Sequence, residues 1–133
     1  MITKFYKISS EINYIDKDLG YKVVAIIKRN EELLLVSEGR LGKWDMPSAV
    51  PGDNESDVNC LSRRIFEMFP GLNLSFFTYK NFHGQRLYIA KLSERRINHM
   101  DNISYIWVGK SDFVYFTMSQ ETYEITEFLK DII

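Results

Sequence analysis

Cysteine and proline are scarce in this chain of 133 residues, which holds one Cys and three Pro. A lone Cys60 excludes an internal disulfide and a thiolate metal cluster, which implies a reducing compartment and, with it, a cytoplasmic location. Charge of one sign is lacking too: 17 Lys plus Arg stand against 18 Asp plus Glu, a net charge of -1. A general nucleic-acid binder needs a basic surface that releases counterions from phosphates, so that class is not expected. No run of about 18 apolar residues occurs, and MITKFYKISSEINYID at the N-terminus is broken by charges where a signal peptide needs an unbroken apolar stretch. Neither a membrane span nor a leader is expected.

Bulky apolar residues are plentiful. Nine Phe, eight Tyr and two Trp, within 45% hydrophobic residues, supply one core and exclude a disordered chain. The length fits a single domain over residues 1–133. Tyr21 to Lys28 and Glu32 to Ser37 are β-branched or aliphatic runs around a polar turn, a hairpin. A loop rich in Gly and Pro follows, EGRLGKWDMPSAVPGDNES, and such a loop suits binding. From Ser56 to the Pro70-Gly71 break, Val58, Leu61, Ile65, Met68 and Phe69 share one helical arc, with Arg63, Arg64 and Glu67 on the opposite side. Leu72 to Tyr79, Arg86 to Leu92 and Ile103 to Val108 read as strands. Gln120 to Ile133 reads as a closing helix with Thr117 or Ser119 as its cap. The order gives an α+β class, a mixed β-sheet flanked by helices.

Gly42-Lys43-Trp44-Asp45-Met46-Pro47-Ser48-Ala49-Val50-Pro51-Gly52-Asp53-Asn54-Glu55-Ser56 resembles the approach to a Nudix box, in which W-x-x-P-G-G precedes G-E-S. The family pattern G-x5-E-x7-R-E-U-x-E-E-x-G-U, with U aliphatic, puts Glu55, Arg63, Ile65 and Glu67 in register. The chain is thus similar to the Nudix superfamily over roughly residues 20 to 133, which implies a Nudix-like α/β/α sandwich. It departs at Ala49 for the first Gly, Arg64 for the Glu beside the Arg, Met68 for the last Glu and Pro70 for the second Gly. In the family the helix carboxylates gather Mg²⁺ at a diphosphate, and a hard cation requires such oxygens. Met68 offers a thioether, and the permanently charged Arg64 repels a divalent ion. The resemblance makes Glu55 with Arg63 a structural pair anchoring the loop, and makes the carbonyl region of Ala49 a metal contact if its φ is negative.

The GDP-mannose mannosyl hydrolase branch is similar in having lost helix carboxylates while keeping activity through an amide and a His from a later loop. Asn98-His99, followed by Asp101 and Tyr105-Ile106-Trp107-Val108, resembles that branch's Gln-His-Asp-Asp-Tyr-x-Trp run at a different spacing, and Phe76 to Gly84 resembles its aromatic segment. This implies a single Mg²⁺ at Glu67 and Asn98, with His99 as base, a role its ordinary pKa suits. The plainer readings stand beside these. His99 and His83 in polar loops face solvent, and Glu67 pairs with Arg63 or Arg64 on the surface. Trp44 stacks on a base or anchors the loop, and Tyr79, Phe82 and Tyr88 divide the same way. Arg40 and Lys43 touch a phosphate or are solvated. Cys60 packs as a small helix residue.

Two functions follow. One is a Nudix-type hydrolase of a nucleoside diphosphate linked to another group, such as a sugar, with catalytic His99 and Glu67, metal contacts from Glu67, Asn98 and Ala49, and substrate contacts from Arg40, Trp44, Arg64 and Tyr79. The alternative is a catalytically inactive Nudix-fold module binding a nucleotide, a nucleic-acid end or a protein partner, with Arg64 pairing with phosphate directly. The expected partner is a small-molecule nucleotide derivative, with a homodimer left open.

Overall fold

A computed structural model of the chain describes residues 21–39 and 42–130. The two aliphatic runs form the centre of a six-stranded mixed sheet as β1 (Lys22–Arg29) and β2 (Glu32–Glu38), antiparallel across a turn in which Asn30 takes a φ of 53°. Asn tolerates that left-handed conformation better than most residues. Two residues of the long loop, Ser48–Ala49, form β3 and pair with Val23 and Val24 of β1. Helix α1 (Asp57–Met68) follows, its first turn closed by Ser56, whose side chain accepts from the Asn59 N–H at 3.1 Å.

The chain returns through β4 (Phe77–Phe82) and β5 (Gln85–Lys91), joined by the His83-Gly84 turn. Both turn residues have positive φ, 49° and 77°, the geometry that tight hairpins need. β5 lies parallel to β1, and β6 (Ile103–Gly109) pairs antiparallel with β2, so the order is β4-β5-β1-β2-β6 with β3 off the path on β1. A short 3₁₀ helix over Lys110–Tyr115 leads to α2 (Gln120–Leu129), capped by Ser119 through the Thr122 N–H.

Strand side chains alternate between two apolar layers. Val23, Ala25, Ile27, Leu34 and Val36 pack with Leu61, Ile65, Met68 and Phe69 of the α1 side. Val24, Ile26, Leu33, Leu35 and Leu87 pack with Ile125 and Leu129 of α2. The class is α+β, a mixed sheet between helices.

Four sequence expectations need correction. Leu72, Leu74 and Phe76 alternate like a strand, but they fold onto the α1-side core, and pairing with β5 begins only at Phe77. The strand then runs through Phe82 with a register shift between Thr78 and Lys80, where Tyr79 lies. Val58 is 41% exposed and Cys60 is buried, so the apolar arc of α1 is rotated towards the cysteine. α2 ends at Leu129, with residues 131–133 outside those described. Neither β3 nor the 3₁₀ turn was expected, because a two-residue strand carries no period. Among the described residues no helix is long and apolar enough to cross a membrane.

Candidate functional site

A cleft of about 280 Å³ opens at the ends of β1 and β2, between α1 and the first turn of α2. Val36 and Met68 from the α1-side core, and Val24, Met46 and Ile125 from the α2-side core, give it apolar walls. Lys22, Lys43 and Arg64 line it against Glu38, Asp45 and Glu121, three charges of each sign.

The loop is shaped by its own polar groups. Glu55 accepts from Arg63 through both oxygens, at 2.9 and 3.1 Å, and from the Gly52 N–H at 2.8 Å. The Arg63 hydrogen bonds, then the Gly52 N–H, hold this carboxyl down at about 2, well below its ordinary 4.5. A carboxylate whose pKa is lower in the folded chain contributes stability that is full above its unfolded pKa and is lost on acidification. The melting-temperature gap between the native chain and Glu55→Gln is therefore expected at neutral pH and closes as the pH falls from about 4.5 towards about 2. A pH series of thermal melts checks this; a gap that stays constant to pH 2 contradicts it.

Arg64 does not sit with Arg63 and Glu67 on a solvated face. Its side chain is only 22% exposed and turns inward. Nε donates to the Ser48 carbonyl at 3.2 Å, Nη2 to Glu38 Oε1 at 2.6 Å, and Nη1 lies 3.6 Å from Glu67 Oε1. One guanidinium thus ties β2, β3 and α1 together at the cleft. Glu67 also meets Arg63 Nη1 at 3.4 Å. Ala49 is half-buried in β3 and is absent from the residues with positive φ. The nearby carbonyl, that of Ser48, already accepts from Arg64.

The later-loop residues lie elsewhere. Asn98 and His99 are exposed and outside the cleft lining. His99 Nδ1 lies 2.9 Å from the Met100 carbonyl, and its ring stands edge-on to Tyr105 at 5.5 Å. Trp44 is half-buried, its ring edge-on to Phe116 at 6.4 Å and its backbone N–H donating to the Thr117 carbonyl at 2.8 Å, so it packs under the loop. Arg40 and the side chain of Tyr79 lie outside the described residues. Cys60 is buried, and that burial first, then the Glu55 charge, pushes its thiol pKa up, which disfavours the reactive thiolate.

These residues do not fit Mg²⁺. A hard divalent ion requires several oxygens around one point, whereas Glu67 is held in two ion pairs and Asn98 lies outside the cleft lining. Among the described residues no three His, Cys, Asp or Glu gather as a metal set.

Two features escaped the sequence reading. Asp45 Oδ1 accepts from the Ser119 N–H at 3.3 Å and the Thr122 hydroxyl at 2.8 Å, so an internal carboxylate occupies the positive end of α2. Beyond the cleft, Asp57, 10% exposed, accepts from Tyr21 at 2.9 Å, Tyr88 at 2.6 Å and Arg86 at 3.0 Å. Burial alone raises an Asp pKa, but the bonds from Tyr88, Arg86 and Tyr21 outweigh it, and the net shift is downward. Tyr21 is pushed up to about 12, first by burial and then by its bond to Asp57. No spacing along the chain links residues 21, 57, 86 and 88.

No family model matches the chain, and no curated protein matches its sequence. Solved structures do match its backbone. MutT, from work on the Aliivibrio salmonicida and Vibrio cholerae proteins, gives a TM-score of 0.62 at 13% identity, covering 85% of this chain and 98% of that one. RenU, a Nudix hydrolase from M. smegmatis, gives 0.67 at 13% identity over 84% and 83% of the two chains. A bifunctional NMN adenylyltransferase/ADP ribose pyrophosphatase from Francisella tularensis, complexed with AMP and a Mn ion, gives 0.56 at 18% identity over 83% of this chain and 40% of that one. Sheet order, helix placement and these superpositions agree that the chain has the Nudix hydrolase fold.

Proposed function

We propose that this chain is a Nudix-superfamily domain, cytoplasmic, whose cleft binds a small nucleotide derivative without a divalent ion and without hydrolysing it. The observation that carries this reading is the Arg64 guanidinium, held by the Ser48 carbonyl, Glu38 and Glu67. A fixed cation there balances the two carboxylates without a metal, and its permanent charge repels a divalent ion. With its donors so occupied, Arg64 shapes the cleft, and Lys43 becomes the group for a ligand phosphate. Lys43 is exposed, lines the cleft and has no ion pair among the described residues. Apolar walls suit the base and sugar.

Calorimetry with nucleoside diphosphate derivatives, in chelator and in Mn²⁺, tests it. Binding is expected to survive chelator unchanged and to weaken about tenfold in Lys43→Glu, the loss of one charge-assisted contact. Affinity that disappears in chelator overturns the reading.

A second reading, a hydrolase of a nucleoside diphosphate linked to another group using one Mg²⁺, is supported by the hydrolases that share this fold and by the Mn ion in one of them. The placement of Glu67 and His99 speaks against it. Mg²⁺-dependent turnover of the same compounds that is lost in His99→Ala would establish it in place of the first.

A further inference from the structure

Gln85 opens β5 at the α2 end of the cleft, beside Lys22, its register partner on β1. It is 6% exposed, one of the few buried polar residues of the described chain. Its backbone belongs to the sheet ladders with Phe82 and Lys22. Its carboxamide makes no hydrogen bond to another described residue, although the polar residues Ser119, Glu121 and Thr122 line the same cleft. The Thr122 hydroxyl is engaged by Asp45 and the Met46 N–H, and Glu121 by Lys22. Each of these neighbours is satisfied from within, and the amide is left over.

Buried polar groups are nearly always hydrogen-bonded, and one that lines a cavity without a partner needs an explanation. A carboxamide presents a donor beside an acceptor in one plane. Its natural complement is an edge offering an acceptor beside a donor, as adenine does with N7 and its exocyclic amine. The cleft around it fits such a heterocycle better than a polyphosphate. Its lining charges cancel, and Val24 and Ile125 are among its apolar lining residues.

We infer that Gln85 is the base-reading residue of the cleft, pairing through its amide with the donor-acceptor edge of an adenine-type ring. This rests on the nucleotide reading above and adds to it the ligand's base and the side chain that selects it. Phosphate lies towards Lys43 and the base towards Gln85.

The test uses the full chain, with AMP and purine riboside 5′-monophosphate, which lacks the amine, as calorimetric probes. The native chain is expected to prefer AMP by about 10- to 100-fold, the range of one bidentate amide pair. Gln85→Leu is expected to bind both compounds alike, with a melting temperature equal to or above that of the native chain, because an apolar side chain of similar size replaces an unpaired buried amide. Equal affinity of the native chain for the two probes, or undiminished preference in Gln85→Leu, overturns the inference while the nucleotide reading stands. A large fall in melting temperature in Gln85→Leu shows that the amide serves the fold, and overturns it as well. Absence of binding to either probe and to the diphosphate panel removes the nucleotide reading and this inference together.

Discussion

Asp57→Ala is expected to lower the unfolding free energy by about 3 kcal/mol, at the lower end of what breaking a buried pair costs. The carboxylate is 10% exposed and is the common acceptor for two phenols and a guanidinium. Without it the Tyr21 and Tyr88 hydroxyls lose their acceptor, and Arg86 keeps a charge whose counterion is gone. Arg86 is 34% exposed and lies over the Tyr21 ring at 4.6 Å, so water and the ring recover part of the loss. Urea unfolding of Asp57→Ala and Asp57→Asn reads the effect. The amide keeps the shape and two of the contacts, so it should cost less than half as much as Ala. Because the Asp57 pKa is lowered by folding, its contribution is present above the ordinary value of 3.8 and is lost on acidification, so the two variants converge on the native chain as pH drops. A loss below 1 kcal/mol at neutral pH in the Ala variant would mean that the network is not the fastening of the α1 N-terminus.

Phe69→Ala is expected to cost about 4 kcal/mol, in the range for large aromatic truncations in a core. The ring is fully buried at the C-terminal end of α1 and meets the Tyr105 ring edge-on at 5.8 Å. Its backbone also closes the helix, donating to the Ile65 carbonyl and accepting from the Leu72 N–H. A void there forfeits dispersion contacts on both the helix and the sheet. The effect reaches beyond stability, because the Tyr105 hydroxyl accepts from the Ile97 N–H at 3.0 Å and holds the segment before β6. Amide exchange at Ile97 is therefore expected to quicken in Phe69→Ala more than at residues of β1, a strand paired with β2 on one side and β5 on the other. Phe69→Leu refills most of the space and should cost about 1.5 kcal/mol or less. Equal exchange at Ile97 in both variants would separate the strap from the ring.

Much of the layered arrangement was legible in the sequence, because hydrophobic period and caps act locally. The runs around Ile26 and Leu34, the helical start at Ser56 and the break at Pro70-Gly71 mark their elements where the structure has them. The miss at Leu72 to Phe76 has a different origin: alternation fits a strand, but whether a partner strand reaches that far is decided by β5, which lies later in the chain. The site was less legible still. Arg64 shares a helical face with Glu67 on a wheel diagram, yet its length lets the guanidinium fold under towards Ser48, a residue brought close only when β3 docks on β1. Gln85 carried no signal at all, since an amide at a strand start is ordinary and only burial makes it unusual. Asn98 and His99 were singled out by a resemblance in residue type, which says nothing of where their loop lies relative to the cleft.

The two tryptophans lie on opposite faces of the sheet. Trp107, its indole N–H donating to the Arg95 carbonyl at 2.8 Å, packs with the α1 layer, while Trp44 packs with the α2 layer. Each indole is thus a native optical probe for one half of the molecule. Emission from a chain keeping only Trp44 follows the loop and α2 side, and emission from one keeping only Trp107 follows the α1 side. Loosening of either layer can then be timed apart from the other without attaching a dye.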